Sequence, residues 1–402
     1  MKILLFFSIL LLLVNCNQTK DNSSSSSFWD DCNVIAELSI SDNDTIIICD
    51  FDKIIKNKNV PLDLLVDSLV TIPIHNFNDE GLIGYRLLPI HFSDNYFCIS
   101  AYSHFPLKLY DKNGFFVRNI GNIGQGPGEY AVVDNIYMDE KHDRIYILPF
   151  SVDYILEYDF MGNFYGNIPL YETNMYGSSF RVDIDEKQIL FIKPVSKVTK
   201  YCVWIQNFSG EIIQGILASD YYSNNDYIGE STLTRFHTNE IEIYQLRFKN
   251  SFDYFYHYDI YNNRLKPKFK LLNADEYTPY FVYESPSFFV VEAGQSSPKD
   301  EDVFTRKIII DKKTLKGCYF DGFVTNCGML LGNGQYALMN TMYDGYFSLI
   351  DFGSEIERYL SKVNEDKLTL DQKEKMKIMK ELIISSKEND DDCSIVFKGR
   401  LK

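Results

Sequence analysis

Positive charge is scarce in this chain. Forty Lys and Arg stand against 56 Asp and Glu, a formal net charge of −16 over 402 residues. A surface this acidic repels phosphate backbones, which argues against nucleic acid as a partner. It also disfavours an electrostatic grip on anionic lipid. None of the eight cysteines forms a C-x-x-C, so neither a zinc ribbon nor a thioredoxin-type site is visible. H-E-x-x-H and G-x-S-x-G are missing as well. His75, His91, His104, His142, His237 and His257 lie far apart, and a lone strand His is usually a satisfied core or surface residue. The longest hydrophobic run, Ile3–Val14, is too short to span a bilayer, which takes about 20 residues.

That short run has the length of a signal-peptide core. It ends in "LVNC", and Cys16 with Leu13 three residues before it resembles a bacterial lipobox; Asn15 departs from the usual small residue. The expectation is a signal peptide over 1–15, lipidation of Cys16 and a flexible polar tether over 16–32. An ordinary signal peptide with an incidental Cys is the alternative. Asn17 resembles the residue that sends such proteins to the outer membrane. Seven cysteines remain, an odd number at irregular spacing, and most read as small buried apolar residues.

What the chain has in abundance is a repeat. "KLYDKNGFF", "LEYDFMGNF" and "WIQNFSGEI" place Asp111, Asp159 and Asn207 at steps of 48, with Gly114, Gly162 and Gly210 in phase. Looser copies carry Asp259, Asp311 and Asp351, so six turns span 240 residues at a mean step of 48. Asp or Asn accepts backbone N–H groups two residues on, and Gly takes the positive φ that closes a hairpin. In the second unit four strands are legible: "YAVVDNIYM", "RIYILPF", "YILEYDF" and "NFYGNIPL". Four short strands per 40–50 residues is the signature of a propeller blade. The expected fold is therefore all-β, a six-bladed β-propeller of four-stranded antiparallel blades occupying 33–402. "DSLVTIPIHN" and the terminal "DCSIVFKGRLK" are expected to close the ring in or beside one shared blade, with "NVIAELSISDNDTIIICDF" on an edge. A helical insertion at about 355–389 has Met376, Met379, Leu382 and Ile383 on one face, which fits a helix packed on the propeller rim; a lid or partner-docking helix is the alternative.

Between the first two units lies "RNIGNIGQGPGEYAVVDN". Gly121, Gly124, Gly126, Pro127 and Gly128 suit a corner from the rim back to the channel, through positive φ and one fixed φ. Their spacing is not G-x-G-x-x-G and no helix follows, so a phosphate cradle is excluded. "GNGQYA" (332–337) matches G-x-G-x-x-A formally, but it joins two apolar strands and reads as a hairpin turn. "LVDSLVTIPIHNFNDEGLIG", "KLYDKNGFFVRNIGNIGQGPGEY" and "RIYILPFSVDYILEYDFMGNF" together resemble the six-bladed β-propeller lipoproteins of Gram-negative gut-type bacteria, themselves similar to NHL-repeat propellers. The resemblance covers roughly residues 60–402, loosely in the last three units. It implies fold and envelope location much more than activity.

Candidate ligand contacts are Gln125, Glu129 and Tyr130 at the glycine loop, with Arg86, Arg181 and Arg235 on expected innermost strands. Three such Arg would make a positive funnel suited to a carboxylate or sulfate. The bland alternatives are interblade ion pairs for the Arg, a backbone-capping Glu129 and a packed Tyr130. Asp390, Asp391 and Asp392 lack the spaced ligands of a calcium loop, so no metal site or cofactor is expected. The reading favoured is an envelope-anchored binding or interaction module for a small ligand, glycan, peptide or partner protein at the channel face. A lyase or hydrolase with a channel-mouth active site is the alternative, and a structural subunit of an envelope complex is a third.

Overall fold

Strand content and turn chemistry build a series of antiparallel meanders. The computed structural model describes residues 28–41, 43–75, 81, 83, 90–100, 105–173, 175, 177–195, 198–221, 231–234, 241–245, 254–273, 280–296, 303–332, 341–386 and 393–402. Among these residues, six sheets contain four antiparallel strands in a row, and two further sheets are smaller. The first blade is His91–Phe92, Tyr96–Ile99, Leu107–Asp111 and Phe116–Ile120. The second is Val133–Asp139, Arg144–Pro149, Tyr154–Tyr158 and Phe164–Pro169, the four strands read from the sequence. The third starts at Ser179–Asp183, the fourth at Ser231–Thr234 and the fifth at Tyr280–Glu284. The sixth combines Met342–Tyr343, Tyr346–Phe352 and Ser394–Leu401 with Val66–Pro73 from the other end of the chain, so the two ends share one sheet.

Burial follows position in the blade. Arg144–Pro149 is buried almost throughout, because neighbouring blades cover both its faces. Phe164–Pro169 on the outer edge buries little beyond Ile168. Hydrophobic clusters join successive blades. Leu109 and Cys98 of the first meet Ile145 and Ile147 of the second, and Ile72 and Val396 of the sixth meet Phe97 and Tyr110 of the first. Each fully buried aliphatic or aromatic side chain contributes about 1.5–3 kcal/mol, so the interblade seams hold the ring together.

The repeated turn has the predicted chemistry in five blades. Asp111 Oδ1 accepts from the N–H groups of Asn113 (2.9 Å) and Phe115 (3.0 Å), and Asn207 Oδ1 from Ser209 and Glu211 (both 2.9 Å). Gly114, Gly162 and Gly210 take φ of +91°, +79° and +82°. In the fourth and fifth blades the turn is one residue longer, and Asn263 and Leu315 take the positive φ. Asp351 is a correction. It ends the second strand of its blade, not the third, and leads into the helix Gly353–Ser361. Helices therefore interrupt the sixth blade between its second and third strands. The longer one, Leu370–Ser386, buries Met376, Met379 and Ile383 of the expected face and leaves Leu382 partly buried.

The N-terminal segment departs from the expected tether over its last residues. Trp29 and Cys32 are buried in the seam between the fifth and sixth blades, and Trp29 lies 5.9 Å from the ring of Phe288. Aromatic burial outweighs the polar neighbours that made the stretch look flexible. The hairpin Ala36–Ser41 and Asp44–Asp50 joins the outer strand of the fourth blade, Arg264–Leu272, in parallel register. All seven remaining cysteines are buried.

Candidate functional site

Chain direction sorts the loops. Turns between first and second strands, and between third and fourth, share one face of the ring. Crossings between blades and the helical insertion share the other. The glycine loop and the insertion are thus on the same face.

The glycine loop is held by its own two terminal residues. Glu129 turns back and its Oε2 accepts from the N–H of Gly126 at 2.8 Å. A Cβ on Gly124 would come within 2.0 Å of that same oxygen, which is why this position has no side chain. The Tyr130 hydroxyl donates to Ile120 O at 2.6 Å and accepts from Leu107 N–H at 2.7 Å. Gly121 and Gly128 adopt φ of +68° and +74°, and Tyr158 donates to the Gly128 carbonyl. Tyr130 is 2% exposed and has no face to offer a ligand. Gln125, Gly126 and Pro127 form the exposed tip, with Glu129 half-buried behind them.

Arg181 lies in the middle of the innermost strand of the third blade. It makes a two-pronged ion pair with Asp344 in the first turn of the sixth blade; its Nη1 is 3.3 Å from Asp344 Oδ2, and its Nη2 bonds to Oδ1. Its guanidinium carbon is 5.5 Å from the ring centroid of Tyr137 on the second blade. His91, on the first blade, packs against Tyr343 with ring centroids 4.9 Å apart. Burial, reinforced by the Arg181 charge, pushes the His91 imidazole down to about 3, so it is neutral in ordinary conditions. Burial raises the Tyr343 phenol, while Arg181 and a hydrogen bond from Asn135 oppose that shift. Asn135 also donates to Ser178 O at 3.2 Å. Four blades thus supply one charged and aromatic cluster around Arg181.

Asp134 stands where the second blade's innermost strand has an irregular register, between Val133 and Asn135. Such irregularities re-aim side chains. Burial pushes its carboxyl up to about 7, although the Gly177 N–H bonds to it. Its Oδ2 is buried without a hydrogen-bond partner among the described residues.

A separate pocket of about 400 Å³ opens between the insertion and the small sheet around Val324, lined by Leu330, Tyr359, Lys362, Val363, Lys367 and Leu368 among others. Among the described residues there is no grouping of His, Cys, Asp and Glu suited to a metal. No helix among them is long and apolar enough to cross a membrane.

Of the six candidate ligand contacts, the structure brings Arg181 into the channel cluster and leaves Gln125, Glu129 and Tyr130 together in the loop. Arg86, Arg235, Cys16, Asp390–Asp392 and most of the 332–337 turn lie outside the described residues. Sequence reasoning missed His91, Asp134 and Asp344. Asp344 had one local signal, the "DG" pair of a tight hairpin turn. The other two had none.

A family described as a 6-bladed beta-propeller matches residues 37–287. Among solved structures, an exported protein of Bacteroides fragilis is similar, with 15% identity, a TM-score of 0.57, and coverage of 88% of this chain and 99% of that one. A DUF4221 family member from Bacteroides vulgatus has 11% identity and a TM-score of 0.46, covering 70% and 94%. At 15% identity the likeness to the Bacteroides fragilis protein is one of fold. No curated protein matches the chain.

Proposed function

The chain belongs to the DUF5128 family of 6-bladed beta-propellers, and from that premise we propose that it is an envelope-anchored binding module. Its ligand would be a small polar molecule with a carboxylate, such as an acidic sugar or a peptide terminus. The observation that carries this reading is the convergence of Arg181, Tyr137, Asn135, His91 and Tyr343 with Asp344 from four blades. Arg presents a planar fork that matches a carboxylate, and neutral His and Tyr offer directed hydrogen bonds without competing charge. Lipidation at Cys16 would attach the propeller to the outer membrane, and the resemblance to an exported protein supports that location. Neither nucleic acid nor a cofactor enters this reading.

A second reading rests on Asp134. A carboxyl that titrates near 7 is suited to general acid–base work, so a lyase or hydrolase remains the alternative. One calorimetric series separates the two. Acidic monosaccharides and short peptides are titrated into the wild type, Arg181→Gln and Asp134→Asn. Binding lost in Arg181→Gln and kept in Asp134→Asn, with no product formed, supports the binding module. Turnover abolished by Asp134→Asn would replace it with the enzyme. No heat with any member of the panel would sink the carboxylate reading.

A further inference from the structure

Cys32 and Cys318 stand opposite each other. The short strand Asn33–Val34 runs antiparallel to Lys316–Phe320, with Asn33 across from Gly317 and Val34 across from Lys316. One more step along this register sets Cys32 across from Cys318. Both are buried in the same seam, at 5% and 0% exposure, and each thiol is close enough to shift the other's protonation, while Cys32 Sγ donates to Phe28 O at 3.7 Å. Residues directly opposite in an antiparallel pair have Cα atoms about 4.5–5.5 Å apart. A disulfide needs about 4.4–6.8 Å.

We propose that Cys32 and Cys318 form a disulfide that fastens the N-terminal segment to the outermost strand of the fifth blade. The proposal rests on the envelope reading for its oxidising surroundings. The oxidant is a protein or small-molecule disulfide. Cys32 as thiolate attacks one oxidant sulfur and expels the other as a thiolate, leaving a mixed disulfide. Cys318 as thiolate then attacks the Cys32 sulfur and expels the second oxidant thiolate. Two electrons pass to the oxidant, which leaves as a dithiol or as two thiols, and these take up the two protons the protein loses. Oxidation precedes complete packing, since burial pushes the Cys318 thiol up to about 12 in the folded chain and disfavours the reactive thiolate.

The bond has a mechanical use. Any load on the chain before residue 28 enters through Phe28 and Trp29. These are tied to the body by Lys58, which donates to Phe28 O at 2.6 Å, by Lys316, which donates to Trp29 O at 2.9 Å, and by Trp29 packing. Hydrogen bonds of this kind open locally under load. A covalent bond four residues further on would pass the load into the fifth blade and keep the segment from peeling off.

The test is disulfide mapping of the full chain refolded in a mixed glutathione buffer, alongside chain recovered from the cell envelope. A peptide cross-link between Cys32 and Cys318, lost in Cys32→Ser and in Cys318→Ser, is expected, with a fall in melting temperature on reduction. Both residues recovered as free thiols from the refolded chain would overturn the proposal, as would either paired with another cysteine. The refolding arm is independent of location. A cross-link there with the cellular protein found outside the envelope would sustain the pairing and count against the envelope reading alone.

Discussion

Arg181 and Asp344 are 163 residues apart in sequence and meet as a two-pronged ion pair between the third and sixth blades. In a six-blade order these are opposite positions, so the pair bridges the ring at its centre. The same geometry makes Asp344 a competitor for any carboxylate that approaches Arg181. Opposite effects on binding are therefore expected from the two partners. Arg181→Gln should abolish binding of an acidic ligand, whereas Asp344→Asn should tighten it about tenfold, the ratio that about 1.4 kcal/mol represents. Both should cost stability, about 1–3 kcal/mol each, because each leaves a half-buried charge with a weaker partner. Urea unfolding and calorimetry on the two variants read both quantities. Weakened ligand binding in Asp344→Asn would show that the pair acts as one structural unit.

Asp134 predicts an unusual pH dependence. Its carboxyl is raised to about 7 in the folded protein, against about 3.9 for an unfolded Asp. A raised carboxyl contributes stability that is fully present below about pH 4 and is lost as pH rises through about 7. Asp134→Asn keeps an acceptor for the Gly177 N–H and removes the charge. The variant should match the wild type near pH 4 and exceed it by about 2–4 kcal/mol at pH 8. Denaturant midpoints at the two pH values test this. Equal midpoints at pH 8 would mean that the carboxylate is well solvated in its ionised form.

The parts of this protein that repeat were legible, and the parts that converge were not. Asp111, Asp159 and Asn207 announce their turns because each bonds to N–H groups within four residues, so the whole device fits in one short window. Asp351 mimicked the pattern, yet its step of 40 from Asp311 departs from the 48 to 52 of the others. That shortfall is the trace of a turn at the wrong strand. His91 has no such window. Its neighbours are Arg181 and Tyr343, which only ring closure brings near. Trp29 was hidden differently, since its polar neighbours describe the surface while its ring joins a seam built by residues 60–66 and by residues beyond 280.

Tyr130 is a strut whose hydroxyl bonds to Ile120 O and Leu107 N–H, joining the glycine corner to the first blade. Tyr130→Phe removes one oxygen and strands two buried backbone groups. The expected loss is about 1–3 kcal/mol. Glu129→Gln should lose much less, since an amide oxygen still accepts from the Gly126 N–H. Thermal melts of the two variants check the order. A larger loss for Glu129→Gln would move the weight of the corner from the phenol to the carboxylate.

The insertion should be dockable and undockable without dissolving the ring. Gly328 takes φ of +82°, and a Cβ there would lie 2.8 Å from Leu368 Cδ2 and 3.1 Å from Val363 Cγ1. Gly328→Ala thus combines backbone strain with a clash against the segment between the two helices, and should cost about 1–3 kcal/mol. Ile383→Ala acts on the insertion through its longer helix. It empties a fully buried position on Leu370–Ser386, at an expected cost of about 2–5 kcal/mol. Because the helices interrupt the sixth blade between hydrogen-bonded strands, Tyr346–Phe352 and Ser394–Leu401 can stay paired while the insertion loosens. Amide exchange should then quicken over 353–386 in both variants and stay slow over 394–401. Equal acceleration in both regions would mean that the insertion and the sixth blade open as one unit, and that the helices are part of ring closure.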